Sequence, residues 1–253
     1  MSNTNFLDHT GKRAYELFGD RQEPTTTREK LLETAIDRFY VHGFHAVGLD
    51  QILTEVGVTK TTFYNHFESK DELILEALAR REQWETSAFA ARATELAGED
   101  PRELLLAFFD VLDEWFNHPD YFGCLFLNAC VEFPSPHDPI HKAGMQHYLE
   151  SKQGFSEIAK AAGAQDADLL AEQLIVLIQG TLTHRQVTGD NAAAAKARGV
   201  AEALIDQALA QADHWHRCHY RYLSVRSCLV LACRWPMDVV QAFCSALVAG
   251  LAG

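Results

Sequence analysis

Apolar residues recur along most of this chain at three- and four-residue spacing, the period of helices with one buried face. Leu31, Ala35 and Phe39 form one such row and Leu32, Ile36 and Tyr40 another, which predicts a helix from Thr26 or Thr27 to Gly43. Thr26 and Glu29 have capping-box spacing at its start. Leu49, Ile52, Leu53 and Val56 mark a second, short helix ended by Gly57, and Thr59 caps a third that carries Lys60 to His66 without a carboxylate. A long helix is expected from Ser69 to about Ala97, with Leu73, Ala77, Trp84, Ala88 and Ala91 facing inward. Further helices are expected at about 102–117, 121–133, 139–162, 166–188 and 191–210, separated by Pro119, the PSPHDP joint and Gly189-Asp190.

The stretch LDQILTEVGVTKTTFYNHF, residues 49–67, is the one the rest is arranged around. Two short helices with a glycine turn between them, the second rich in Thr, Asn and Lys, suit the DNA major groove. The residues Ala35, Phe39, Gly43-Phe44, Ile52, Val56-Gly57-Val58, Thr62-Phe63-Tyr64, His66-Phe67 and Ser69-Lys70-Asp71-Glu72-Leu73 resemble the DNA-binding domain of the tetracycline-repressor (TetR) family. The likeness is close over about 27–75 and looser, all-helical, to about 210. Val47 and Gly48 depart from the Thr and Ser/Thr the family often has there, which removes a phosphate contact and a strong cap.

The resemblance implies an all-α chain. A three-helix helix-turn-helix domain at 25–72 would follow a polar extension at 1–24, and a helical effector-binding and dimerisation domain would span 73–210. The expected DNA contacts are Arg28, Thr59, Lys60, Thr61, Thr62, Tyr64, Asn65, His66 and Lys70, with Tyr64 and Lys70 on phosphates and Lys60, Thr61 and Asn65 on bases. In the extension, Lys12, Arg13 and Arg21 would serve a minor-groove arm, against a plain leader as the alternative.

Aromatic residues are dense from 101 to 163, and polar groups fall among them. A pocket is expected from Phe108, Leu112, Trp115, Phe122, Phe126, Cys130, His147, Ser151, Phe155 and Gln179, against a filled core as the alternative. The helix at 166–188 is apolar almost all round and carries Gly180, a costly helix residue that close helix approach compensates. With the Ala-rich helix after it, it is expected to form half of a four-helix dimer interface through Leu170, Leu174, Leu177, Gly180, His184 and Leu204.

Charge sharpens this picture. The formal net charge is −13 over 253 residues, which argues against general affinity for nucleic acid. Residues 1–70 hold 8 basic against 10 acidic side chains, and residues 71–210 hold 10 against 23, so the acidity lies in the sensor region. DNA affinity must come from a few placed groups, and tight binding is expected only at a matched site. The tail at 211–253 shifts to Cys, Trp, His and Arg. His214, His216, Cys218 and His219 are dense enough for a soft metal but match no structural zinc spacing. Met237 to Leu251 has the pattern of one more amphipathic helix. No apolar run reaches the ~18 residues that span a bilayer, and the leader is polar, so a cytoplasmic protein with reduced thiols is expected.

No nucleophile elbow, phosphate loop or dinucleotide fingerprint is present, so no enzyme and no cofactor are expected. The function expected is a homodimeric repressor on a palindromic double-stranded operator, released by a small apolar or aromatic effector. The alternative is a regulator governed by a protein partner or by oxidation of Cys124 and Cys130.

Overall fold

The computed structural model describes residues 23–222, with side chains through 210. Over that range the chain is helical without strands. It divides into two compact units, Met1–Leu209 and Ala210–Gly253. The first unit carries all the structure discussed below. In the second, the helix entered at Ala193 runs on to Tyr222.

Helix α1 (Thr27–His42) begins at the expected capping box: Thr26 Oγ accepts from Glu29 N, and Glu29 accepts from Thr26 N at 2.9 Å. Helix α2 (Leu49–Val56) starts at Gly48, which has no side chain to cap with; Gln51 Oε1 accepts from Gly48 N at 2.9 Å instead. Gly57 ends α2 in the left-handed conformation at φ 76°. Thr59 Oγ caps α3 (Lys60–Tyr64) by accepting from Thr62 N. Leu31, Phe39, Phe44, Ile52 and Phe63 are fully buried between these helices and the start of α4 (Lys70–Ala97). Burying each such side chain contributes about 1.5–3 kcal/mol.

Helix α4 is 28 residues long and packs on both α1 and α5 (Pro101–Phe116), so one rigid rod touches head and sensor. Then come α6 (Leu125–Glu132), α7 (Pro139–Ala161), α8 (Ala167–Thr188) and α9 (Ala193–Tyr222). Helix α6 begins at Leu125 rather than near Tyr121, because Gly123 at φ 103° breaks the helical path and Cys124 becomes the N-cap. Helix α9 passes the expected end near 210, since neither Gly nor Pro occurs between Val200 and Tyr222.

Two apolar cores result. One joins the head to α4, the inner face of α5, and α6; the other lies between α5, α7, α8 and α9 around Phe109, Leu170, Leu174 and Ile205. The expectations for the 1–22 leader and for Met237–Leu251 lie outside the described residues, as do the side chains of His214, His216, Cys218 and His219.

Candidate nucleic-acid interface and sensor

Helix α3 is held by what it buries. Phe63 and Phe67 stack at 5.5 Å and insert into the head core. That fixes which side chains point outward: Lys60, Thr61, Tyr64 and Asn65 are exposed, Tyr64 at 57% of its surface. Thr62 and His66 are half-buried at the rim. The Thr59 and Thr62 hydroxyls lie 3.0 Å apart at the cap, so Thr59 is engaged in holding the helix start. Lys60 pairs with Asp50 of α2 at 2.9 Å, and both are exposed. Its hydrogen bond to Asp50 raises the Lys60 pKa. Such a screened surface pair stabilises little and exchanges readily for a phosphate.

Two of the expected DNA contacts also have partners within the protein. Arg28 Nη2 binds both oxygens of Glu76 on α4, at 2.5 and 2.6 Å, and its guanidinium lies 4.8 Å over the Phe67 ring. It ties α1 to α4. Lys70 Nζ donates to the Phe44 carbonyl at 2.6 Å, half-buried, with its pKa lowered by burial. It supports the α1–α2 loop. Sequence spacing put both near the DNA face; their partners lie 48 and 26 residues away, the Arg28 pair exposed like that of Lys60 and the Lys70 contact half-buried.

That loop is also gripped from the sensor side. Glu132, the last residue of α6, accepts from Phe44 N at 3.0 Å and from His45 N at 2.7 Å. The His45 ring returns a contact to the Glu132 carbonyl at 3.0 Å and lies 4.6 Å from the Phe133 ring. Gly43 makes room: a Cβ there would stand 2.7 Å from Glu132 Oε1. A second joint is buried. Arg81 and Glu85 of α4 pair at 2.6 Å with 9% of each side chain exposed, and the guanidinium lies over the Tyr40 and Trp84 rings. Burial opposes the Arg81 charge, but Glu85 beside it more than compensates and raises its pKa. Tyr40 of α1 accepts from Phe122 N at 3.2 Å, and burial pushes its phenol up to about 12.

The residues expected to line one pocket separate into groups. Phe108 and Phe155 meet at 4.8 Å in the second core. Leu112, Trp115 and Phe126 belong to the first. Phe126 stacks flat on His147 at 3.9 Å, and His147 pairs with Glu82 of α4 at 2.6 Å. Phe122 stands edge-on to Tyr40 at 5.8 Å. Cys130 lies against α7, where only the missing Cβ of Gly144 lets the helices approach. Ser151 is half-buried. Gln179 is exposed on the outer face of α8, so it lines no interior space in this subunit. Leu170 and Leu174 are 1% and 0% exposed and fill the subunit's own core, which removes them from any subunit interface. Leu177 and Leu204 are half-buried, while Gly180 and His184 are exposed.

Sequence reasoning passed over Glu132, Arg81, Glu85, Tyr121 and Arg185. One signal was available: Arg81 and Glu85 stand in the Leu73–Ala77–Ala88 inward row of α4, where a charged pair is out of place. Both thiols are protonated in character, Cys124 pushed up to about 12 by burial and Cys130 raised for the same reason.

Sequence profiles agree with this architecture. The profile for bacterial regulatory proteins of the tetR family matches residues 31–77, and that of the tetracyclin repressor-like C-terminal domain matches 101–201. The chain belongs to the TetR family: it is a DNA-binding transcription regulator and not an enzyme. It is similar to the putative TetR regulator SAV143 of Streptomyces avermitilis, with 31% identity, a TM-score of 0.62, and 75% of this chain and 99% of that one covered. It is 22% identical to the HTH-type transcriptional regulator YjdC of Escherichia coli over 178 residues, 70% of this chain and 93% of that protein. The HTH-type transcriptional repressor NemR of E. coli is 33% identical over 110 residues, 42% of this chain and 53% of that one. No helix among the described residues is long and apolar enough to cross a membrane.

Proposed function

We propose that this regulator is a homodimeric repressor that leaves a palindromic operator when a small apolar or aromatic effector enters the sensor. The observation that carries the reading is the double joint between head and sensor. Glu132 holds the loop before α2, and the Arg81–Glu85 pair locks α4 against Tyr40 of α1. A displacement of α6 or α4 therefore reaches the reading head through directed contacts. An effector shifts such an equilibrium only by its differential affinity for the two states, typically worth about 1–3 kcal/mol of coupling.

Dimerisation draws support from the outer face of α8. Leu169, Val176 and Val187 are exposed at 51%, 59% and 79% of their surface, and Gly180 stands between them in the same stripe. Val200 of α9 is 51% exposed. Gly180 and Gly199 have open space where a Cβ would stand, so nothing within the subunit explains glycine at either site. A second copy packing its α8 and α9 there would use both. The interface proposed is thus the face opposite Leu170 and Leu174, with Gly180 and His184 retained. Thr61, Tyr64 and Asn65 are the proposed groove contacts, with Lys60 exchanging Asp50 for phosphate or base. Work on an operator places the protein in the cytoplasm. Control by thiol oxidation is the weaker reading, since burial raises the pKa of both the enclosed Cys124 and the half-buried Cys130, and a protonated thiol is a poor nucleophile.

The test is a footprint of the purified protein on the DNA upstream of its own gene, at fixed salt with competitor DNA. A dyad-symmetric footprint whose half-sites lie about 10–10.5 bp or a multiple apart supports the reading. An asymmetric site, or a monomer bound with full affinity, refutes it.

A further inference from the structure

Eight arginines lie between residues 23 and 210, and seven of them have a carboxylate within 4.0 Å. Arg185, near the end of α8, is the exception among the described residues. Its Nη2 donates to the Phe116 carbonyl at 3.2 Å, and its guanidinium lies 5.1 Å from the Tyr121 ring centroid. Its Nε is shut off from solvent and has no acceptor. The Tyr121 hydroxyl is likewise buried without a hydrogen-bond partner. Arg185 as a whole is half-buried, but its enclosed Nε and the enclosed Tyr121 hydroxyl are each costly to leave without an acceptor. Two orphaned donor groups on one stacked pair mark a place built for an acceptor.

The surroundings state what else the acceptor carries. Tyr121 packs edge-on against Trp115 at 5.1 Å and beside Phe116 at 5.0 Å, and Trp115 stands edge-on to Phe89 at 5.4 Å. These rings come from α4, α5 and the segment before α6; Trp115 and Phe116 are buried in the first core at 3% and 0% exposure, with Phe89 and Tyr121 packed against them. A guanidinium matches a carboxylate in plane and in spacing, and a carboxylate has lone pairs left for a phenol. The aromatic walls suit a ring attached to it.

We infer that the effector is a small aromatic carboxylate, with its carboxylate on Arg185 and Tyr121 and its ring among Trp115, Phe116 and Phe89. The inference rests on the effector reading above and names the class that reading left open. It also supplies a path. Arg185 holds the end of α5 through Phe116, and the neighbour of Tyr121, Phe122, donates its backbone N–H to Tyr40 of α1. An anion that draws Arg185 and Tyr121 together moves the segment that reaches the head.

The full chain is tested by thermal shift and calorimetry with benzoate, phenylacetate and 1-naphthoate, against the matching amides and inorganic phosphate. The expected result is stabilisation by at least one carboxylate, with its amide weaker by about tenfold or more. Arg185→Met abolishes that binding and unfolds within a few degrees of wild type, because the half-buried Arg185 has no carboxylate partner to lose and gives up one hydrogen bond, to the Phe116 carbonyl. Tyr121→Phe keeps the ring box and weakens binding by several-fold. The inference is overturned if no carboxylate binds, if amide or phosphate binds as well, or if Arg185→Met retains the response. Operator footprints in the same samples separate the two readings. Carboxylate binding that depends on Arg185 but leaves the footprint unchanged sinks the effector-release reading and spares the site. A footprint unaffected by any carboxylate, with no carboxylate bound, sinks the site alone.

Discussion

Replacing Glu132 with alanine removes the acceptor for two backbone N–H groups, those of Phe44 and His45, at 3.0 and 2.7 Å. A hydrogen bond to a charged group contributes about 1.5–3 kcal/mol. The Phe44 bond is part-buried and keeps much of that; the His45 bond is exposed and water replaces most of it. The expected loss is about 2–3 kcal/mol. For a chain of this size each kcal/mol shifts the melting temperature by about 2–4 °C, so a fall of roughly 4–12 °C follows. The head core itself, around Phe39, Ile52 and Phe63, does not include Glu132 and stays folded. Amide exchange at Phe44 and His45 therefore quickens more than at Ile52 or Phe63. Glu132→Gln keeps one oxygen acceptor and loses about half as much. Calorimetry with hydrogen exchange by NMR reads all of this. If the alanine variant melts within 1 °C of wild type, or if its Phe44 and His45 amides stay protected, Glu132 is not the clasp that this geometry makes it.

Glu85→Ala leaves Arg81 buried without its partner and is expected to cost about 3–5 kcal/mol, whereas Arg81→Met with Glu85→Leu together is close to neutral; a urea double-mutant cycle decides. His147 gives a pH signature. Burial opposes its charge, but the hydrogen bond to Glu82 and the charges of Glu85, Glu82 and Glu150 prevail and raise its pKa above 6.5. The stabilisation it provides is present in full below pH 6.5 and fades as pH rises through the elevated value. The melting-temperature gap between wild type and His147→Gln should thus be wider at pH 6 than at pH 9, and an equal gap refutes the pairing. Asn65→Ala is expected to relax base preference at one operator position, while Lys60→Ala lowers the salt slope by about 1 if Lys60 meets a phosphate; both are read by footprint titration. Gly180→Leu fills the open stripe on α8 without harming the subunit fold, and sedimentation should report a weakened dimer.

Helix positions and the reading head were legible in the sequence because they depend on near neighbours. Caps at Thr26, Thr59 and Ser69 act over three residues, and the apolar rows of α1 and α2 repeat every three or four. The TetR pattern of residues 27–75 is likewise a short-range signature, fixed by Phe63 and Phe67 plugging one small core. Side-chain employment was decided elsewhere. Arg28 and Lys70 read as DNA contacts by spacing, and that they also meet Glu76 and the Phe44 carbonyl follows only from packing. Leu170 and Leu174 share their apolarity with Leu169 and Val176; which pair faces inward depends on where α5, α7 and α9 lie against α8, and a helix apolar on every side carries no mark of it. Glu132 and Arg185 are ordinary surface residues by sequence, one at a helix end and one in a last turn. The chain's local periodicity set the helices and the family. The joint between head and sensor, and the setting of Arg185 on the Phe116 carbonyl and the Tyr121 ring, exist only because packing brings together groups dozens of residues apart, and a pattern read along one dimension has no term for that distance.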